Sequence, residues 1–322
     1  MEGLVPVNLN WGITFLIQTS AGILGNSSLL CFYSFSFLTA QILKPRDLIL
    51  SQLVLANNLV LCSKGIPQTL AAFGLEGFLD GAGCKLVFYL HRVARGVSLT
   101  TTCLLSGFQA VKLCPSISRW MDFHIRSPKC IVFCCFLCWA LHLVVHSYIV
   151  RYITGPMNSK NKSMDKIYLY CILFSVTALI FLFTDGTCLA LMVWTSGSMV
   201  LVLHRHKQRV QHIRSCSLSP RTSHETRATH TILILVSMFV SFHALASILS
   251  YQIIQIQNPS HWLRSISVLV ASGFPTFSPF VFIVSDARVS QFCFACWTKK
   301  TNSPRMVSGL QVPSRTLHHL VK

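Results

Sequence analysis

The sequence predicts an all-α membrane protein, a bundle of seven transmembrane helices. Three observations predict it. Of the 322 residues, 52% are hydrophobic and only 11% are charged, where a soluble domain of ordinary composition carries about 25% charged residues. Mean hydropathy is +0.57, and the apolar residues gather in blocks long enough to cross a bilayer. Short basic or polar stretches separate the blocks, and no insertion is large enough to be a catalytic domain, so an enzyme is not expected. The formal charge of +18 lies in those connecting stretches, which points to membrane lipids rather than nucleic acid as the partner of the basic residues.

The amino terminus, about 1–10, lacks a basic region ahead of its apolar run, so no cleaved signal peptide is expected. The first span is expected at about 11–37. Asn26 begins an Asn-Ser-Ser sequon, but inside a span it is out of reach of glycosylation, and Gly25 and Asn26 read instead as close packing and a buried interhelical hydrogen bond. A second span at about 48–73 carries Asn57, Asn58 and Lys64. Pro67 should bend it, since proline removes a backbone donor and crowds the preceding turn.

The third span, at about 84–111, carries His91, Arg92 and Arg95 well inside an apolar helix. A charge at the centre of a membrane helix costs roughly 2.5–3.5 kcal/mol, so such residues are paired, solvated by a polar cavity or lifted to an interface. The fourth span, about 130–150, holds Cys134, Cys135 and Cys138. With no carboxylate nearby, these read as small hydrophobes rather than metal ligands, and neither a metal nor a cofactor is expected. A polar loop follows, containing Cys171 and the sequon of Asn161. The fifth span, about 178–203, contains Asp185. The stretch after it is strongly basic, with Arg205, Lys207, Arg209 and Arg214. The sixth and seventh spans are expected at about 228–254 and 262–284, the last with Pro275 and Pro279. Residues 11–285 then form the membrane domain and 286–322 a tail that carries Cys293 and Cys296.

Lysine and arginine are richer in one alternate set of loops: Lys44 and Arg46, then Lys112 to Lys129, then Arg205 to Arg227, and finally the tail. The positive-inside rule makes that set cytoplasmic and the amino terminus extracellular. Asn161 then lies outside, where its sequon is usable. Cys84 and Cys171 fall on the same oxidising side. A bridge between them would tie the third helix to the second outer loop; two unpaired thiols are the alternative.

Several long stretches carry a family resemblance. LKPRDLILSQLVLANNLVLCSKGIPQTLAAFG, GCKLVFYLHRVARGVSLTTTCLLSGFQA, LMVWTSGSMVLVLHRHKQRVQHI, SPRTSHETRATHTILILVS and FPTFSPFVF are similar to the vomeronasal type-1 receptors, a family of G-protein-coupled receptors, over residues 43–296. The resemblance implies the seven-helix fold of that receptor type in the plasma membrane. It also implies a small-molecule chemosignal as ligand and an inhibitory-type heterotrimeric G protein as partner. The family's outer disulfide maps onto Cys84 and Cys171, and its loop sequon onto Asn161. The absence of Asp-Arg-Tyr after the third span, which instead ends Ser106-Gly107-Phe108-Gln109-Ala110, agrees with the family. So does the absence of Asn-Pro-x-x-Tyr in the seventh. One departure stands out: the family's Phe-Pro-Asp in the fifth helix is here Phe183-Thr184-Asp185. A bitter-taste-type receptor is the alternative within the class. A transporter or channel is the alternative outside it, but it should show internal repeats or broken helices, and no repeat is visible.

The charges in the spans extend this reading. Arg92 lies eight residues after Cys84, and Asp185 seven after the expected start of its span. At a rise of ~1.5 Å per residue the two sit at similar depth, roughly 10–12 Å down. His91 and Arg95 share a face at i,i+4. Arg92 or Arg95 is therefore expected to pair with Asp185 and to floor a ligand cavity with His91; a purely helix-holding role is the alternative. The basic stretch from Arg205 to Arg214 is read as a G-protein-facing loop, with attraction to anionic lipid as the alternative. Cys293 and Cys296 are candidate palmitoylation sites.

Overall fold

A computed structural model of the chain describes residues 9–39, 44–75, 81–113, 128–152, 183, 185–205, 208, 220–256, 259–286 and 288–292. Within them lie seven long helices: α1 (Leu9–Leu38), α2 (Pro45–Ala72), α3 (Gly81–Leu113), α4 (Pro128–Tyr152), α5 (Asp185–Arg205), α6 (Pro220–Gln255) and α7 (His261–Ser285). Six are long and apolar enough by composition to cross a membrane. The remaining one, α3, is 33 residues long and carries Lys85, Arg92, Arg95 and Lys112.

The helix that composition alone would leave out of the membrane is the central one. It packs on α2, α4 and α6, and Ser106 Oγ meets Thr195 Oγ1 of α5 at 2.6 Å. Surrounded by other helices, α3 can keep polar side chains because they find protein partners rather than lipid. The peripheral helices show the opposite pattern. Phe136, Val144 and Trp194 are exposed on α4 and α5, as expected where the surrounding solvent is hydrocarbon.

The core runs through the middle of the bundle, where Tyr33, Leu53, Leu105, Met192, Leu235 and Phe282 have almost no accessible surface. Polar side chains lace it together. Asn57 of α2 is fully buried; its Nδ2 donates to Ser278 Oγ of α7 at 3.0 Å, and its Oδ1 accepts from Ser98 Oγ of α3 at 2.8 Å. Asn26 has the interhelical role read from the sequence: Nδ2 donates to Pro275 O at 2.8 Å. A Cβ on the neighbouring Gly25 would stand 2.9 Å from Pro279, so α1 and α7 touch closely there.

Two helices depart from the simplest expectation. In α2 the irregularity is a π-turn at Leu61–Gly65 just ahead of Pro67, so a widened turn takes up the donor that proline lacks. The helix α6 begins at Pro220, eight residues before its expected start at 228. Proline fits a first helical turn because its missing N–H has no intrahelical partner there. Apolarity marked only the part of this helix with hydrophobic surroundings.

Candidate ligand cavity

One face of α3 carries His91, Arg92, Arg95, Gly96, Ser98 and Leu99 into a cavity of about 230 Å³. The helical period places 91 with 95 and 92 with 95 and 96 on neighbouring rows. Val60 of α2 joins them, with Leu141, His142, Val145 and His146 of α4 and Asp185 at the start of α5. Phe239, Phe242, His243 and Ala246 of α6 and Ala271, Phe274 and Pro275 of α7 close the other side. The four charged or titratable residues singled out in the sequence, His91, Arg92, Arg95 and Asp185, therefore line a single space. Arg95 keeps open surface deep in the bundle because that space lies beside it.

Asp185 faces Arg95 and Arg92 closely enough for their charges to act on it. Arg288 forms ion pairs at 3.4 Å to Asp47 and 3.0 Å to Asp286. The guanidinium of Arg92 lies over the Phe88 ring at 5.4 Å, a cation–π geometry. His91 Nδ1 is buried with no hydrogen-bond partner among the described residues. The charge of Lys64, beside the π-turn of α2, reaches His91 and Arg95.

The α4 wall is built on a glycine. A Cβ at Gly96 would run into the His142 ring, so α3 and α4 approach closely enough for the imidazole to lie across the α3 backbone. His142 Nε2 is 3.4 Å from Thr100 Oγ1, and its carbonyl oxygen is 2.8 Å from His146 Nδ1. Opposite stands an aromatic wall. Phe239 stacks on His243 at 5.8 Å and meets Phe274 edge-on at 4.7 Å. The α7 helix breaks at Ser272, and Gly273 after it leaves room for the Phe242 ring, which a Cβ would strike. The arrangement sets the cations of α3 with the imidazoles of His91, His142 and His146 on one side, and aromatic rings with His243 on the other.

At the opposite end of the bundle, different links join the helices. Gln109 Nε2 of α3 donates to Thr229 Oγ1 of α6 at 3.0 Å, and Arg227 donates to Val284 O of α7 at 3.3 Å. Arg288, just past α7, bridges Asp286 to Asp47 at the start of α2. Burial alone would push the Asp286 carboxyl up, but the hydrogen bonds and charge of Arg288 outweigh it and hold it below the usual carboxylate range.

Of the other residues expected to act, Cys84 is exposed in the first turns of α3, and Arg205 is exposed on the last residue of α5 rather than in a loop. Cys171, Asn161, Lys207, Arg209, Arg214, Cys293 and Cys296 lie outside the described residues. Sequence reasoning missed His142, His146 and His243, and with them the aromatic wall. A signal existed for two of them: His142 and His146 are spaced i,i+4 and so share a face of α4. Nothing comparable marks Phe239 or Phe242 among the many apolar residues of α6.

A family model described as the vomeronasal organ pheromone receptor family matches residues 9–295. The chain is 55% identical over 302 residues to vomeronasal type-1 receptor 1 of Homo sapiens, covering 92% of this chain and 86% of that one. It is 46% identical over 287 residues to vomeronasal type-1 receptor 4 of Homo sapiens, covering 87% of this chain and 95% of that one. Among solved structures, squid rhodopsin superposes with a TM-score of 0.66 over 92% of this chain and 88% of its own. At 13% identity that likeness concerns the fold alone.

Proposed function

The chain belongs to the vomeronasal type-1 receptor family, and on that premise we propose that it binds a small-molecule chemosignal in the α3–α7 cavity and activates an inhibitory-type heterotrimeric G protein. It is a chemosensory G-protein-coupled receptor and a multi-pass plasma-membrane protein, not an enzyme. The observation that carries the reading is the cavity itself, which gathers His91, Arg92, Arg95 and Asp185 with aromatic residues of α6 and α7. A ligand seated there lies among six of the seven helices and so can bias how they pack.

The topology that goes with this function has the amino terminus outside and the tail inside, as the lysine and arginine distribution supports. Cys84 then bridges to Cys171, Asn161 carries glycan, and Cys293 and Cys296 are acylated. The basic segment with Arg205, Lys207, Arg209 and Arg214 faces the G protein, and membrane lipids surround the bundle.

The test is a chemosignal panel on the full chain, expressed in cells with a promiscuous G protein and read by calcium. Ala246 lines the cavity and is almost fully buried, so Ala246→Phe places a ring in that space. It is expected to abolish or sharply weaken the response at unchanged surface expression. An undiminished response would remove the cavity from ligand binding. Pertussis toxin sensitivity of the response through native G proteins tests the inhibitory-type partner.

A further inference from the structure

Three cysteines from three helices meet about one turn away from the cavity. Leu99 of α3, His142 of α4 and Asp185 of α5 line that cavity. Cys103, Cys138 and Cys188 lie four, four and three residues from them on the same helices, so each shares a face with its cavity neighbour. The thiols of Cys103 and Cys188 come within hydrogen-bonding reach of each other. Cys138 stands beside them, with its own thiol on Thr100. Cys103 and Cys188 are both free and only partly buried, and both pack against the main core. The contact between their helices continues one turn further along α3, where Ser106 meets Thr195 at 2.6 Å.

Backbone geometry separates this pair from the row of cysteines on α4. A disulfide needs Cβ atoms ~3.5–4.5 Å apart. Cys130, Cys134 and Cys138 follow one another at i,i+4, where a helix holds Cβ atoms about 5–6 Å apart. That row cannot close on itself without unwinding. Cysteines on two different helices carry no such limit, and thiols already in contact react without a large movement.

We propose that Cys103 and Cys188 form an oxidative modification site, which hydrogen peroxide converts into a disulfide that ties α3 to α5 beside the cavity. One thiol attacks a peroxide oxygen: an S–O bond forms, the O–O bond breaks, and the first water leaves with that thiol's proton. The second thiol attacks the oxidised sulfur: the S–S bond forms, the S–O bond breaks, and the second water leaves with the other proton. The two sulfurs lose two electrons, and the peroxide is reduced to two waters. The bond fixes the spacing of α3 and α5 one turn from Leu99 and Asp185. This modification is independent of what the cavity binds.

The test uses the full-length receptor purified in detergent and treated with hydrogen peroxide. It is then denatured in N-ethylmaleimide and digested without reduction for mass spectrometry. A peptide joining Cys103 to Cys188 is expected, with maleimide labelling of the two cysteines lost in equal measure. Catalase added before the peroxide should prevent both changes. Cys103→Ser and Cys188→Ser should each abolish the linked peptide, while Cys135→Ser keeps it. The wild-type digest decides the outcome even where a variant fails to fold. Full labelling of both cysteines after peroxide overturns the proposal. So does a bond from either one to Cys138, and so does oxidation of each to a sulfinic acid with no link between them. Treated wild type should also melt at a higher temperature than treated Cys188→Ser, because a cross-link constrains the unfolded chain. A linked receptor that melts no higher would overturn the role of the bond as a tie between the helices.

Discussion

Individual residues set the tolerances of this bundle. Gly96 is where α3 meets the His142 ring, and overpacking at such a contact costs about 1–3 kcal/mol. Gly96→Ala is therefore expected to lower the melting temperature of the purified receptor and to weaken ligand response, since the α4 wall must shift. Gly107→Ala on the same helix, where a Cβ meets nothing within 4 Å, should match the wild type in both assays. Asn57 poses the opposite problem, a polar group whose loss strands its partners. In Asn57→Ala, both Ser98 and Ser278 lose their links to α2, and leaving a buried polar group unsatisfied costs about 1–3 kcal/mol. Thermal denaturation in detergent is expected to show a loss well above that of Asn58→Ala, whose half-buried amide makes a longer bond of 3.3 Å to Ser27.

At the level of elements, the short helical turn after α7 depends on a clip. The Asp286 carboxylate accepts from the Arg288 backbone N–H at 3.0 Å and from its guanidinium at 3.0 Å, and that guanidinium reaches α2 through Asp47. Because Asp286 has a depressed carboxyl pKa in the folded protein, its contribution is present above the unfolded value of about 3.9. It is lost as pH falls through the folded value. Asp286→Asn should therefore be less stable than the wild type at neutral pH, and the difference should close below the ordinary carboxylate range. The expected gap is small, up to about 1 kcal/mol, since Arg288 is 45% exposed and water screens the pair. The helices themselves were legible because lipid demands long apolar runs. What apolarity could not mark were their polar extensions, such as the first eight residues of α6, and the π-turn of α2, a backbone adjustment with no compositional trace. The cavity was legible on α3 and α5, where a charge in a greasy run stands out. It was not legible on α6 and α7, because an aromatic residue facing a cavity and one facing lipid look alike in sequence.

Across the whole molecule, the cavity and the Gln109–Thr229 link occupy opposite ends of α3 and α6. Interhelical hydrogen bonds in membranes average about 0.6 kcal/mol, so losing one shifts a two-state equilibrium roughly threefold. Gln109→Met removes the link with little change in volume. If signalling requires α3 and α6 to part at that end, basal G-protein activity should rise by about that factor, at equal surface expression. Unchanged basal activity would show that this end of the bundle is not where the two states differ.

The lining of the cavity also bears on how such a receptor diversifies. The lining draws side chains from six helices, a single one each from α2 and α5, while Asn26, Asn57 and Ser278 tie helices of the bundle together from outside that lining. A lineage can therefore retune what it detects at Phe242 or Val145 and leave the scaffold intact. Ser98 is where the two tasks meet, for it lines the cavity and also donates to Asn57. A lineage that altered Ser98 would be gambling with its architecture as well as its palate.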